Sequence, residues 1–182
     1  MLGDLLASYE PTKGQHIARA PSKVSFVLVT VSSSRFRAMT RGEPVDDPSG
    51  DLMEKLIRGA GHKVIARVLI PDSEEKIDGI LNEYGGKVDA IIFSGGTGLA
   101  RSDITPDVVG RRAEKAIPGF GELFRLLSFE EIGPSAMTSR ASAYVVRGTL
   151  VFCLPGSPHG VKLALEKLIL PEVAHMVYHL RE

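Results

Sequence analysis

Cysteine is almost missing from this chain. One thiol, Cys153, occurs in 182 residues, so no internal disulfide forms and no zinc site of His/Cys type can be assembled. Cys153 lies in the apolar run "TLVFCLP" and reads as a small buried hydrophobe. An excess of charge is missing as well. Lys+Arg and Asp+Glu are equal at 22 each, which gives no reason to expect nucleic acid or an anionic membrane as partner. No apolar run approaches the roughly 18 residues that a membrane span needs. The opening "MLGDLLASYEPTKG" holds Asp4 and Glu10 and lacks the basic stretch of a signal peptide. Together these absences point to a cytoplasmic protein. Internal repeats and low-complexity segments are absent too. What remains is ordinary: 43% hydrophobic and 24% charged residues, in a length that suits one domain with a sizeable core.

The pattern along the chain alternates. Residues 1–22, with Pro11, Gly14 and Pro21, have no sustained period after Tyr9 and read as an arm outside the main domain of 23–182. "KVSFVLVTVS" is a continuously apolar, β-branched run, expected of a strand covered on both faces. "SSRFRAMTRGEPVDD" reads as a polar loop. "PSGDLMEKLIRGAGH" predicts a short amphipathic helix stopped by Gly59 and Gly61, and "KVIARVLIP" a second strand. In "DSEEKIDGILNEYGG", Asp72 and Glu75 predict a capping box and Gly85 the helix end. "VDAIIFS" is a third strand, running into the glycines of "FSGGTGLARSDITPD". Thr105, Pro106 and Asp107 read as N-cap, first position and first turn of the next helix. "GFGELFRLLSFEE" and "GPSAMTSRASA" predict two more helices. "YVVRGTLVFCLP" predicts a hairpin around Arg147 and Gly148. The final segment predicts one long helix interrupted, or two helices divided, at Pro171. This order implies a three-layer α/β sandwich: a mostly parallel sheet with helices on both faces and a C-terminal antiparallel hairpin.

Ligands of such sheets bind at the carboxyl ends of the strands. Three loops fall there. The glycine loop lacks the third glycine of a dinucleotide fingerprint, because Arg101 stands in its place, and it lacks the Lys of a Walker loop. A nicotinamide cofactor is therefore disfavoured. Gly95, Gly96 and Gly98 nevertheless let backbone N–H groups point at an anion. Thr97 adds a hydroxyl, and Asp103 is close enough to reach a metal ion held on phosphate. A glycine turn needed for geometry alone fits the same residues. In "DDPSG", Asp47 reads either as a helix cap or as a second carboxylate for Mg²⁺. Arg35, Arg37 and Arg41 stand in the same segment, as phosphate-neutralising groups or as a solvated basic loop. "LPGSPHG" places Ser157 at the start of the last helix, and His159 reads as a surface or capping residue. His175 and His179, one turn apart, read as surface residues without a third ligand.

The pieces "DDPSG", "SGGTGLARSDITPD", "GFGELFRLLSFEEIG", "SRASA" and "LPGSP" occur in an order that resembles the molybdenum cofactor biosynthesis protein B (MoaB) and MogA family. A related domain occurs in gephyrin, its plant counterparts and MoeA. The run from Gly119 to Gly133 is similar to the MoaB branch in particular. The resemblance implies a trimer or a hexamer of two trimers, and binding of molybdopterin. It implies adenylation: the terminal phosphate of molybdopterin attacks the α-phosphate of Mg-ATP and releases pyrophosphate. Asp47 and Asp103 match the essential, metal-holding aspartates. Ser94, Gly95, Gly96, Thr97 and Gly98 match the nucleotide-phosphate side. Ser32, Ser139, Pro155, Gly156 and Ser157 match the neighbourhood of the pterin and its phosphate. Hand-over of product to a metal-inserting MoeA-type protein follows from the same likeness. Where the MogA branch often carries "VSD", this chain has "VSSS", Val31 to Ser34. A non-catalytic molybdopterin-binding or scaffold oligomer of the same fold is the alternative.

Overall fold

A computed structural model of the chain describes residues 20–182. All but the last three residues of the arm read at 1–22 lie outside the described residues. Six strands form one sheet: β1 (Ser25–Val31), β2 (Lys63–Ile70), β3 (Ala90–Ser94), β4 (Lys115–Ala116), β5 (Ser142–Val146) and β6 (Thr149–Leu154), in the order β2-β1-β3-β6-β5-β4. β1, β2, β3 and β6 run parallel, and β5 is antiparallel to both its neighbours. The hairpin turn expected at Arg147 and Gly148 is there. Both residues have positive φ, 52° and 73°, the pairing of a two-residue turn whose twist matches the strands it joins.

The inner strands are buried on both faces, which explains their unbroken apolar spelling. One face packs Phe26, Leu28, Ile92 and Phe152 against α2 (Pro48–Gly59), α5 (Pro118–Ile132), α6 (Pro158–Ala164) and α7 (Leu170–Arg181). The other packs Val27, Val29, Ile91 and Phe93 against α3 (Glu74–Tyr84) and α4 (Thr105–Arg112). This is the expected three-layer sandwich. A π-helical turn, Leu165–Ile169, joins α6 to α7. It lies just ahead of Pro171, which has no N–H to give and whose ring would clash inside a regular helix.

Four local expectations fail, each for a physical reason. The "polar loop" after β1 contains a helix, α1 (Ser33–Thr40), capped by Ser32 through the N–H of Arg35. No residue of α1 is buried, so its sequence carries no apolar stripe. The cap of α3 is Ser73, not Asp72; the Asp72 carboxylate instead accepts from the N–H and Oγ of Ser33, at 3.0 and 2.6 Å. Ile104 precedes α4 where Thr105 was expected to cap it, and the Thr105 hydroxyl is buried without a hydrogen-bond partner. "GPSAMTSRASA" divides into a 3₁₀ turn, Gly133–Thr138, and the start of β5. The edge strand β4, two residues long, gave no periodic signal to read.

Candidate functional site

The sheet reverses its winding between β1 and β3: α2 leaves β1 for one face, and α3 leads into β3 from the other. Crevices form at the carboxyl ends of strands at such points. Here a cavity of about 650 Å³ opens at the ends of β1, β3 and β6, a size that suits a small-molecule ligand. Its walls come from Ser32, Ser33 and Ser34 after β1, Gly95 to Gly98 with Asp103 after β3, and Pro155 to Ser157 after β6. Phe124, Ser128 and Glu131 of α5 and Ser139 close another side.

The floor is built by close backbone approach. Gly95 donates to the carbonyl of Leu154 at 2.9 Å. Its φ is +118°, and a Cβ there would stand 2.2 Å from the carbonyl oxygen of Val31. Only glycine fits that position. Beneath the floor, the Ser94 hydroxyl donates to the carbonyl of Pro155 at 3.2 Å, and the buried Ser49 hydroxyl to that of Gly156 at 2.8 Å. These bonds tie the three loops into one rim.

Of the residues singled out in sequence, Ser32, Gly95, Gly96, Thr97, Gly98, Asp103, Ser139, Pro155, Gly156 and Ser157 all reach the cavity. Ser94 stands just below it. Asp103 accepts from the N–H of Ala100 at 2.9 Å through Oδ2, which leaves Oδ1 for another partner. Arg140 fixes the segment from behind: its guanidinium donates to the carbonyls of Gly98 and Asp103 and to the Asp107 carboxylate.

Asp47 is not on the wall. It caps α2 through the N–H of Gly50 at 3.0 Å, accepts from the Thr30 hydroxyl at 2.7 Å, and pairs with Arg67 at 3.0 Å. Burial favours its neutral form, but those three donors outweigh it and hold the carboxyl below its usual range. So the two carboxylates do not stand together over the cavity. Nor do the three arginines of α1 and its C-terminus line it. Arg35 donates to the carbonyl of Asp46, and Arg41 pairs with Glu43. Among the described residues, no lysine or arginine lines the cavity.

The α5 wall residues Phe124, Ser128 and Glu131 gave no sequence signal, and two further lining residues were read in other roles. Asp72 follows β2 at the same sheet edge, and the rule that ligands sit at strand carboxyl ends would have flagged it; its reading as a helix cap masked it. His159 lies on the rim and pairs with Glu131 at 3.0 Å. The Cys153 thiol is fully buried and pushed up to about 12 by that burial, so it is no nucleophile.

Asp103 and Asp72 supply hard oxygen at the wall, beside the backbone N–H groups of the glycine loop. That set suits a magnesium ion held by one or two carboxylates and substrate phosphate. Among the described residues, no group of three or more His, Cys, Asp or Glu forms a cage of its own.

The sequence profile of a family described as "Probable molybdopterin binding domain" matches residues 27–175. The molybdenum cofactor biosynthesis protein B of Bacillus cereus is 40% identical over 169 residues, covering 91% of this chain and 96% of the relative. A probable molybdopterin adenylyltransferase of Methanocaldococcus jannaschii is 39% identical over 161 residues, covering 87% and 95%. The crystal structure of the tungsten cofactor synthesizing protein MoaB from Pyrococcus furiosus superimposes with a TM-score of 0.79 at 34% identity, covering 90% of this chain and all of that one.

Proposed function

This chain belongs to the molybdopterin-binding family of molybdenum cofactor biosynthesis proteins, and from that premise we propose that its reaction is the Mg-ATP-dependent adenylation of molybdopterin. The observation that carries the reading is the cavity itself. It joins the glycine loop, Asp103 and the Pro155–Ser157 loop at one sheet edge. The terminal phosphate oxygen of molybdopterin forms a bond to the α-phosphorus of ATP. The bond to the β-phosphate breaks, and pyrophosphate leaves. A phosphate monoester is largely ionised at neutral pH, so the nucleophile needs no base. That agrees with a site whose histidine, His159, is paired with a glutamate and whose cysteine is buried.

The work left to the protein is positioning and charge neutralisation. Backbone N–H groups of Gly96 to Gly98 and the Thr97 hydroxyl are the donors for nucleotide phosphate, the N–H of Gly95 being held by the Leu154 carbonyl. Ser32, Ser139 and Ser157 are the hydroxyls for the pterin side. Mg²⁺ held by Asp103 would supply the positive charge that no lysine or arginine of the wall provides. Asp47, held behind the wall by Thr30, Gly50 and Arg67, would join it only if released from them. Glycine backbone against phosphate, rather than a fingerprint helix, is why a nicotinamide reading fails. α4 starts at Thr105, well beyond the glycines.

The test is incubation of the protein with molybdopterin and Mg-ATP, with chromatographic detection of adenylyl-molybdopterin. Product that needs all three components supports the proposal, and its absence from folded protein sinks it. One observation favours a second reading, a non-catalytic molybdopterin-binding oligomer: Asp47 is engaged by Arg67 rather than turned to the cavity. Calorimetric titration with Mg-ATP separates the two, since a pure carrier gives no nucleotide heat. The proposal extends to a cytoplasmic homotrimer or homohexamer that passes product to a metal-inserting MoeA-type protein. The exposed apolar residues Leu123, Leu126, Phe129 and Ile132 along α5 support self-association. Light scattering that returns a single 19.6 kDa species would contradict that part.

A further inference from the structure

α7 carries His175 and His179 one turn apart, with side chains 40% and 51% exposed. Their Nε2 atoms face each other at 2.8 Å. Each Nδ1 is turned to a carboxylate: that of His175 lies 3.2 Å from Glu172 Oε2, and that of His179 lies 3.3 Å from Glu182 Oε2. The Tyr178 hydroxyl donates to the other oxygen of Glu182 at 2.8 Å and helps to fix it.

An ionised carboxylate only accepts, so each Nδ1 must be the protonated nitrogen. In a neutral imidazole the other nitrogen is then an acceptor. Two lone pairs therefore point at one spot. A cation shared between two such acceptors would hold them at that distance. A proton is one such cation, and a metal ion is the other. Carboxylate–histidine pairs of this kind are the arrangement that orients and strengthens metal-binding imidazoles.

We propose that His175 and His179 form a bidentate site for a divalent transition ion of the nickel and copper kind, oriented by Glu172 and Glu182. Nitrogens about 2.0–2.1 Å from a metal stand roughly 3.3 Å apart at a tetrahedral angle, as zinc prefers, and roughly 2.9 Å apart at a right angle. The separation of 2.8 Å is nearer the right angle of tetragonal or octahedral coordination. Nitrogen-rich tetragonal sites favour Cu²⁺ and Ni²⁺. The site lies away from the cavity. Arg181, two residues beyond His179, pairs with Asp89 at 2.5 Å, and Asp89 binds the backbone N–H of Ser25 at the amino end of β1. That is the opposite edge of the sheet, so the proposal does not depend on the adenylation reading.

Calorimetric titration of the full chain with Ni²⁺ tests it, alongside His175→Ala, His179→Ala and Glu172→Gln. A site that weakens at least about tenfold in each histidine variant, and on the order of tenfold in Glu172→Gln, is the expected result. Cu²⁺-loaded protein should show electron paramagnetic resonance hyperfine coupling to two imidazole nitrogens, falling to one in each histidine variant. Nickel binding unchanged by both histidine substitutions, or copper spectra without a second nitrogen in the parent, overturns the proposal. The pair then holds a proton instead.

Discussion

Asp103 keeps one carboxylate oxygen on the N–H of Ala100 and presents the other at the cavity wall. Its replacement by Asn preserves the loop contact and removes the charge. Under the adenylation reading, Asp103→Asn lowers kcat by about 10²-fold with an unchanged thermal midpoint, read by product formation and calorimetry. Asp47 behaves differently, since it stabilises the fold as well. Burial raises its pKa and the donors from Thr30, Gly50 and Arg67 lower it, with a net decrease. Asp89 follows the same pattern, burial against Ser25 and Arg181. A carboxylate depressed on folding stabilises the protein above its unfolded value near 3.9, and that contribution disappears as pH falls through the folded value. These two groups should therefore contribute fully and independently of pH near neutrality, and stability to denaturant should fall below about pH 4. Asp47→Asn and Asp89→Asn should flatten that acid limb. At this scale the residue types offered the glycine loop and Asp103 as an anion site or a plain turn, and the serine and proline wall came from the family resemblance. The sequence was silent on Arg67, whose charge holds Asp47 off the cavity from a neighbouring strand.

The elements that shape the site depend on close contacts. Gly95→Ala would drive a Cβ into the Val31 carbonyl at a backbone angle that alanine avoids. A loss of at least about 2 kcal/mol is expected, seen as a fall of about 4–8 °C in Tm for a chain of this size. Met53 on α2 is fully buried against the sheet, and Met53→Ala should cost about 2–5 kcal/mol, measured by urea unfolding. The helices α2, α3 and α5 were legible because each buries an apolar side. α1 was not, since all its residues face outward or sit at the rim. Asp72 was misplaced because Ser73 beside it is an equally good cap. The tie to Ser33 comes from a segment 39 residues away.

For the whole molecule, the unbroken apolar strands and alternating helices implied the parallel sheet, and strand order then set where the loops meet. No sequence period reports that order. β3, flanked by β1 and β6, brings "DDPSG", the glycine loop and "LPGSP" to one edge, and only packing places Asp47 behind that edge rather than on it. Among the described residues no helix is long and apolar enough to cross a membrane. The central claim is that this edge transfers an adenylyl group to molybdopterin. The most direct test is a turnover assay with molybdopterin and ATP, with and without Mg²⁺, for the parent and for Asp103→Asn. The account predicts magnesium-dependent adenylyl-molybdopterin and pyrophosphate in equal amounts, nearly lost in the variant. Molybdopterin bound by the parent with no adenylyl product under any condition would contradict it.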